Sequence, residues 1–201
     1  MRLFVALALP PQAQEHLDLA VAAVGDDEPT VRGAPTLRWV APGLRHITLA
    51  FYGDVPTGAV PDLTADLAAV AEAHEPLRLQ VRGAGVFAGR TLWAGVREVD
   101  PPGGALVRLM SGCEDLRHPD AGRRDRHRAH VTLARARRPD AAGLDRRAQV
   151  LSVYSGPTWV AEDLELLSSE LGAGRGGTPV HEVLARLPLG GPVPAAGFPD
   201  H

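Results

Sequence analysis

The chain contains no lysine and no asparagine, and Ile47 is its only isoleucine. All 21 basic residues are arginine, a bias that fits a GC-rich genome. Any phosphate contact through a basic side chain must therefore come from Arg, whose planar fork suits phosphate oxygens. Cysteine is nearly missing too. Cys113 stands alone, which excludes an intrachain disulfide and a cysteine-based zinc site. Its apolar, helix-periodic surroundings predict a small core residue. A net positive charge is lacking: at −3 there is no global basic field of the kind that marks a non-specific nucleic-acid binder. Nor is there a long apolar run. The opening stretch to Leu9 is apolar apart from Arg2, but Pro10-Pro11 stops it too early to span a bilayer. No signal-peptide cleavage site follows. The expectation is a cytoplasmic, monomeric enzyme without membrane attachment.

What is present is ordinary in bulk. With 201 residues, 45% hydrophobic and 22% charged, the chain fits one sizeable domain or two small lobes sharing a core. The unusual feature is a repeated pentapeptide pattern, His-x-Thr-Leu-Ala, at His46–Ala50 and again at His130–Ala134. Chance supplies only about 0.4 His-x-Thr triplets at this composition, so one copy would mean little and two extended copies mean more. The residues between and after each polar pair favour strands. Alternation then puts His46 with Thr48, and His130 with Thr132, on one face, with Ile47, Leu49, Val131 and Leu133 on the other.

The remaining elements follow from periodicity. Residues 2–9 predict a buried strand, and Pro10-Pro11 opens a helix to about Val24 with Leu17, Val21 and Val24 inward. A polar loop runs from Gly25 to Pro35. Short strands are expected at Leu37–Val40 and 45–52, then a helix from about Thr57 or Gly58 to His74. Leu77–Arg82 alternates strictly, and Thr91–Val96 reads as its neighbour. After Pro101–Gly104 a third helix reaches about Leu116. The segment 117–128 is rich in arginine and leads into the second motif strand, 129–135. A loop or short helix follows Pro139. Strands are expected at Trp159–Leu167 and Val180–Leu187, joined by a hairpin loop at Gly172–Gly177. The tail from Pro188 has little to bury and is expected to be disordered. The fold class is α+β: two related lobes of mainly antiparallel sheet, residues 1–187, with outer helices around a central cleft.

Two imidazoles facing one cleft suit proton transfer near neutral pH, one as general acid and one as general base on a phosphodiester. The threonine hydroxyls can hold non-bridging oxygens as charge builds. No carboxylate cluster lies near either motif, so no metal and no cofactor is expected. A zinc site would want a third protein ligand. His127 sits at an odd offset from His130, and Asp125 would have to fold back from a loop. The other histidines, His16, His74, His118, His181 and His201, have no partner spacing and read as surface or cap residues.

The chain resembles the two-histidine phosphoesterases, specifically the RNA 2′,3′-cyclic phosphodiesterases of the 2′-5′ RNA ligase family, over residues 2–188. The likeness rests on both motifs together with Arg2–Leu7, Arg38-Trp39-Val40, Phe51–Val55, Leu92–Val96 and Val180–Arg186. It implies a bilobal fold and hydrolysis of an RNA or nucleotide 2′,3′-cyclic phosphate to a 2′-phosphate. It further implies His46 as proton donor, His130 as proton acceptor, Thr48 and Thr132 on the phosphate, and Arg135 as a further phosphate contact. The residues alone do not separate acid from base, because the two motifs are locally near-identical. Two departures fall beside the motifs: Arg45 where similar sequences carry an apolar residue, and His127-Arg128-Ala129 where an aromatic-x-Pro approach is usual. His127 and Arg128 are accordingly expected at the substrate. The alternatives are 2′-5′ ligation of tRNA halves at the same site, and a non-catalytic module that binds RNA ends.

Overall fold

The computed structural model describes residues 1–25, 30–31, 34–35, 37–99, 103–116, 128–138 and 143–190. Its centre is β1 (Arg2–Ala8), whose apolar residues alternate between two clusters. Leu3, Val5 and Leu7 enter the main core, while Phe4 and Ala6 join Leu167 and Phe51 on the opposite face. On one side β1 pairs antiparallel with β5 (His46–Asp54), the first motif strand. On the other it pairs with β10 (Asp163–Glu170), and β10 with β11 (Val180–Pro188).

The second motif strand, β8 (His130–Ala136), belongs to a matching set. It pairs with β7 (Thr91–Glu98), β7 with β6 (Leu77–Phe87), and β6 with β9 (Ser155–Ala161). The short β4 (Leu37–Trp39) adds to β8 as well. The two sets form one nine-stranded sheet whose seam is a single registered pair, Ile47 with Val131. Two dipeptide strands, β2 (Thr30–Val31) and β3 (Ala34–Pro35), pair separately in the segment expected as loop.

Four helices cover the outer faces. Helix α1 (Pro11–Gly25) starts on a proline whose missing N–H costs nothing in a first turn. It buries Ala13, Leu17 and Val21 at helical spacing. With α4 (Leu144–Leu151) it backs the β6–β9 lobe. Helices α2 (Val60–Glu72) and α3 (Ala105–Asp115) back the β1 lobe, with Leu106, Leu109, Met110 and Cys113 inward. Each lobe therefore collects segments from both halves of the chain.

Three expectations need correction. The strand expected at Trp159–Leu167 is two strands broken at Glu162: β9 edges one lobe and β10 pairs with β1 in the other. The strand expected to stop near Arg82 runs on to Phe87. It takes a bulge where Gly83 adopts φ +67°, and Gly85 lies flat beneath the Trp93 indole. The chain is also not free from Pro188 onward: Leu189 is buried, and its N–H donates to the Glu162 carbonyl at 2.7 Å. The rest of the tail, 191–201, lies outside the described residues, as do His127 and most of the arginine-rich segment.

Candidate active site

The seam sets the site. In an antiparallel pair registered at Ile47 and Val131, the next residues outward bring His46 level with Thr132, and Thr48 level with His130. Ile47, Leu49, Val131 and Leu133 are fully buried beneath. The two His-Thr pairs thus share one face, and all four side chains line one cavity of about 480 Å³. Each hydroxyl neighbours the imidazole of the other motif as well as its own.

Both motif strands carry a bulge at the same place. Along β5, Ala6 pairs with Thr48 but Val5 with Ala50, so Leu49 is the extra residue. Along β8, Trp93 pairs with Thr132 but Leu92 with Ala134, so Leu133 is the extra one. A bulge shifts the alternation by one residue. In consequence Ala50 and Ala134 are buried, while Phe51 and Arg135 turn back onto the cavity face. Strict alternation from Thr132 would have pointed Arg135 away.

The histidines are held from behind. The Arg128 carbonyl accepts from Nδ1 of His130 at 2.7 Å, which puts the proton on Nδ1 and leaves Nε2 with its lone pair toward the cavity. Phe87 meets the same ring edge-on at 5.0 Å, and Phe87 in turn stacks on Trp93. On the other side Phe4 lies 4.8 Å from the His46 ring. Burial pushes the His46 pKa down to about 4; His181, His130 and Arg135 push the same way, and only a bond to the Leu44 carbonyl opposes them.

The residues expected at the site fall into three groups. His46, Thr48, His130, Thr132 and Arg135 come together. Arg128 is exposed, with its guanidinium 5.1 Å over the Trp93 ring, and it lines a separate groove with Arg82 and Arg97. Its backbone carbonyl, rather than its charge, reaches the site. His127 lies outside the described residues. Arg45 points away from the cavity: buried, it donates to Asp18 of α1 at 2.5 Å and to the Val40 carbonyl at 3.2 Å. This departure is a strand-to-helix tie, not a substrate contact.

His181 is the residue that spacing gave no reason to single out. It comes from β11, lines the cavity, and packs edge-on against Phe4 at 5.0 Å and His46 at 5.5 Å. Its Nδ1 is buried without a hydrogen-bond partner. Burial lowers its pKa, against the pull of the Ser168 carbonyl. Arg38 also lines the cavity, directly paired with Arg135. Among the described residues no three His, Cys, Asp or Glu side chains are grouped to hold a metal ion, and no helix is long and apolar enough to cross a membrane.

Comparison with known proteins matches this arrangement. The family model for the 2′-5′ RNA ligase superfamily matches residues 9–173. A protein named RNA 2′,3′-cyclic phosphodiesterase, from Thermus thermophilus, is 29% identical over 198 residues, covering 95% of this chain and 91% of its own. Another of that name, from Geobacillus stearothermophilus, is 36% identical over 99 residues, or 47% of this chain and 30% of its own. Among solved structures, TT0787 of Thermus thermophilus superposes with a TM-score of 0.70 at 28% identity, over 95% of this chain and 99% of that one. Escherichia coli LigT complexed with phosphate gives 0.67 at 21% identity, over 94% and 96%, a likeness of fold. With that family match across most of its length, the chain belongs to the 2′-5′ RNA ligase superfamily of two-histidine phosphoesterases.

Proposed function

We propose that the protein opens 2′,3′-cyclic phosphates at RNA or nucleotide ends, leaving a 2′-phosphate. His130 takes a proton from water through Nε2 as the water oxygen bonds to phosphorus. The bond from phosphorus to the 3′-oxygen breaks, and His46 gives that oxygen its proton. Thr48 and Thr132 donate to the non-bridging oxygens, and Arg135 offsets their charge. The observation that carries the reading is the seam register, which sets two His-Thr pairs around one cavity. The role of base at His130 is supported by the Arg128 carbonyl, which leaves Nε2 as acceptor. The role of acid at His46 is supported by its lowered pKa: once charged, it surrenders a proton readily. The arriving phosphate anion is what charges it.

The test is product analysis of a short oligonucleotide ending in a 2′,3′-cyclic phosphate, with and without chelator. The native chain should yield the 2′-phosphate in both. His46→Ala and His130→Ala should each lose about 10²-fold or more in kcat, and retained activity in either would sink the mechanism. Incubation with tRNA halves in the same series reads the reverse reaction, a joined 2′-5′ product.

A further inference from the structure

The cavity holds more positive charge than one cyclic phosphate requires. Its described lining includes Arg38, Arg135 and the imidazoles of His46, His130 and His181, and no Asp or Glu. In a chain of net charge −3 this is a local concentration. Arg38 and Arg135 are direct cross-strand partners between β4 and β8. Like charges set opposite each other on a sheet face repel, and no lining carboxylate relieves them. Arg38 uses one donor on the Gly177 carbonyl at 2.9 Å, and Arg135 makes no hydrogen bond or ion pair among the described residues. A guanidinium has five N–H donors, so most of this pair's capacity is left for a ligand.

Position gives the pair its meaning. Strand β7 occupies one edge of β8 along its whole length, so β4 takes over the other edge where β5 leaves it. Arg38 therefore continues the line of His46 outward from the seam, past the phosphate-binding threonines. It lies against the hairpin between β10 and β11, which closes that end of the cavity.

We infer that Arg38 and Arg135 form a second phosphate subsite, which takes the phosphodiester on the 5′ side of the nucleotide whose cyclic phosphate lies between the histidines. The inference rests on the function proposed above and narrows it: the preferred substrate is the end of an RNA chain rather than a free cyclic mononucleotide. One anionic group sits in the His-Thr quartet, the next between the paired guanidiniums, and Arg135 touches both.

Calorimetric binding to the full-length chain tests this with two stable ligands, adenosine 2′-phosphate and adenosine 2′,5′-bisphosphate. The native protein should bind the bisphosphate roughly tenfold more tightly, as one added charge-assisted contact predicts. Arg38→Gln should shrink that advantage below about threefold. Equal affinities in the native protein would overturn the subsite. So would Arg38→Gln weakening both ligands by the same factor, which would leave Arg38 a tether for the hairpin alone. Opening of adenosine 2′,3′-cyclic phosphate by the native protein is measured alongside. Its failure would sink the proposed hydrolysis, whereas the affinity ratio would still decide the subsite.

Discussion

His46 shows how placement sets the chemistry of a single side chain. An imidazole in the unfolded chain binds a proton below about pH 6.5, but in the cavity only below about 4. Between those values the unfolded state holds more protons, so stability should fall as pH falls through that window. The shift amounts to at most about 3 kcal/mol. Urea denaturation at pH 7 and 4.5 checks this: the native chain should lose more stability on acidification than His46→Gln. In the same terms, inorganic phosphate should raise the His46 titration midpoint, read by NMR. Arg45 is the opposite kind of residue, charged but remote from chemistry. Its side chain is 3% exposed against 40% for Asp18. Asp18→Ala would strand a buried guanidinium and should cost about 2–4 kcal/mol in chemical denaturation. Neither outcome was legible in the sequence. A buried Arg beside a catalytic motif reads like a substrate contact until the strand shows which way it points. His181 had no motif at all; only the pairing of β11 through β10 and β1 brings it to the His46 ring.

At the level of elements, the paired bulges decide what the cavity contains. The sequence makes both motif strands legible, because their apolar residues alternate cleanly as far as the threonine. It does not announce the bulge at Leu49 and Leu133, since Leu-Ala fits a continuous strand equally well. Arg135 could therefore be carried to the site only by resemblance; two-residue alternation sends it to the other face. The same blindness explains β6. Its glycines read as punctuation, yet Gly85 lies within the strand because a Cβ there would come within 2.3 Å of Trp93 Cζ2. Gly85→Ala should push the indole off the sheet, and with it Phe87, the brace behind His130. We expect a loss of about 1–3 kcal/mol and a changed near-UV circular dichroism, with turnover falling alongside.

For the whole molecule, the repeat 84 positions apart is legible as two lobes, but its boundaries are not, and the interleaving gives the reason. One lobe takes β1, β5, β10 and β11 with α2 and α3, and the other takes β4 and β6–β9 with α1 and α4. The chain crosses between them repeatedly, the last time at Glu162, so no cut isolates either. Expressed separately, 1–99 and 103–201 should each fail to give a cooperative thermal transition, while the full chain should unfold in one step by both fluorescence and circular dichroism. The register of β1 also bears on how the protein is made. Leu3 pairs with Ser168, so the first strand leaves the ribosome long before its neighbour exists. At ordinary rates of synthesis that wait is about 8–33 s. Through it β1, apolar on both faces, has only β5 for company, and the floor under His46 is finished by nearly the last residues translated.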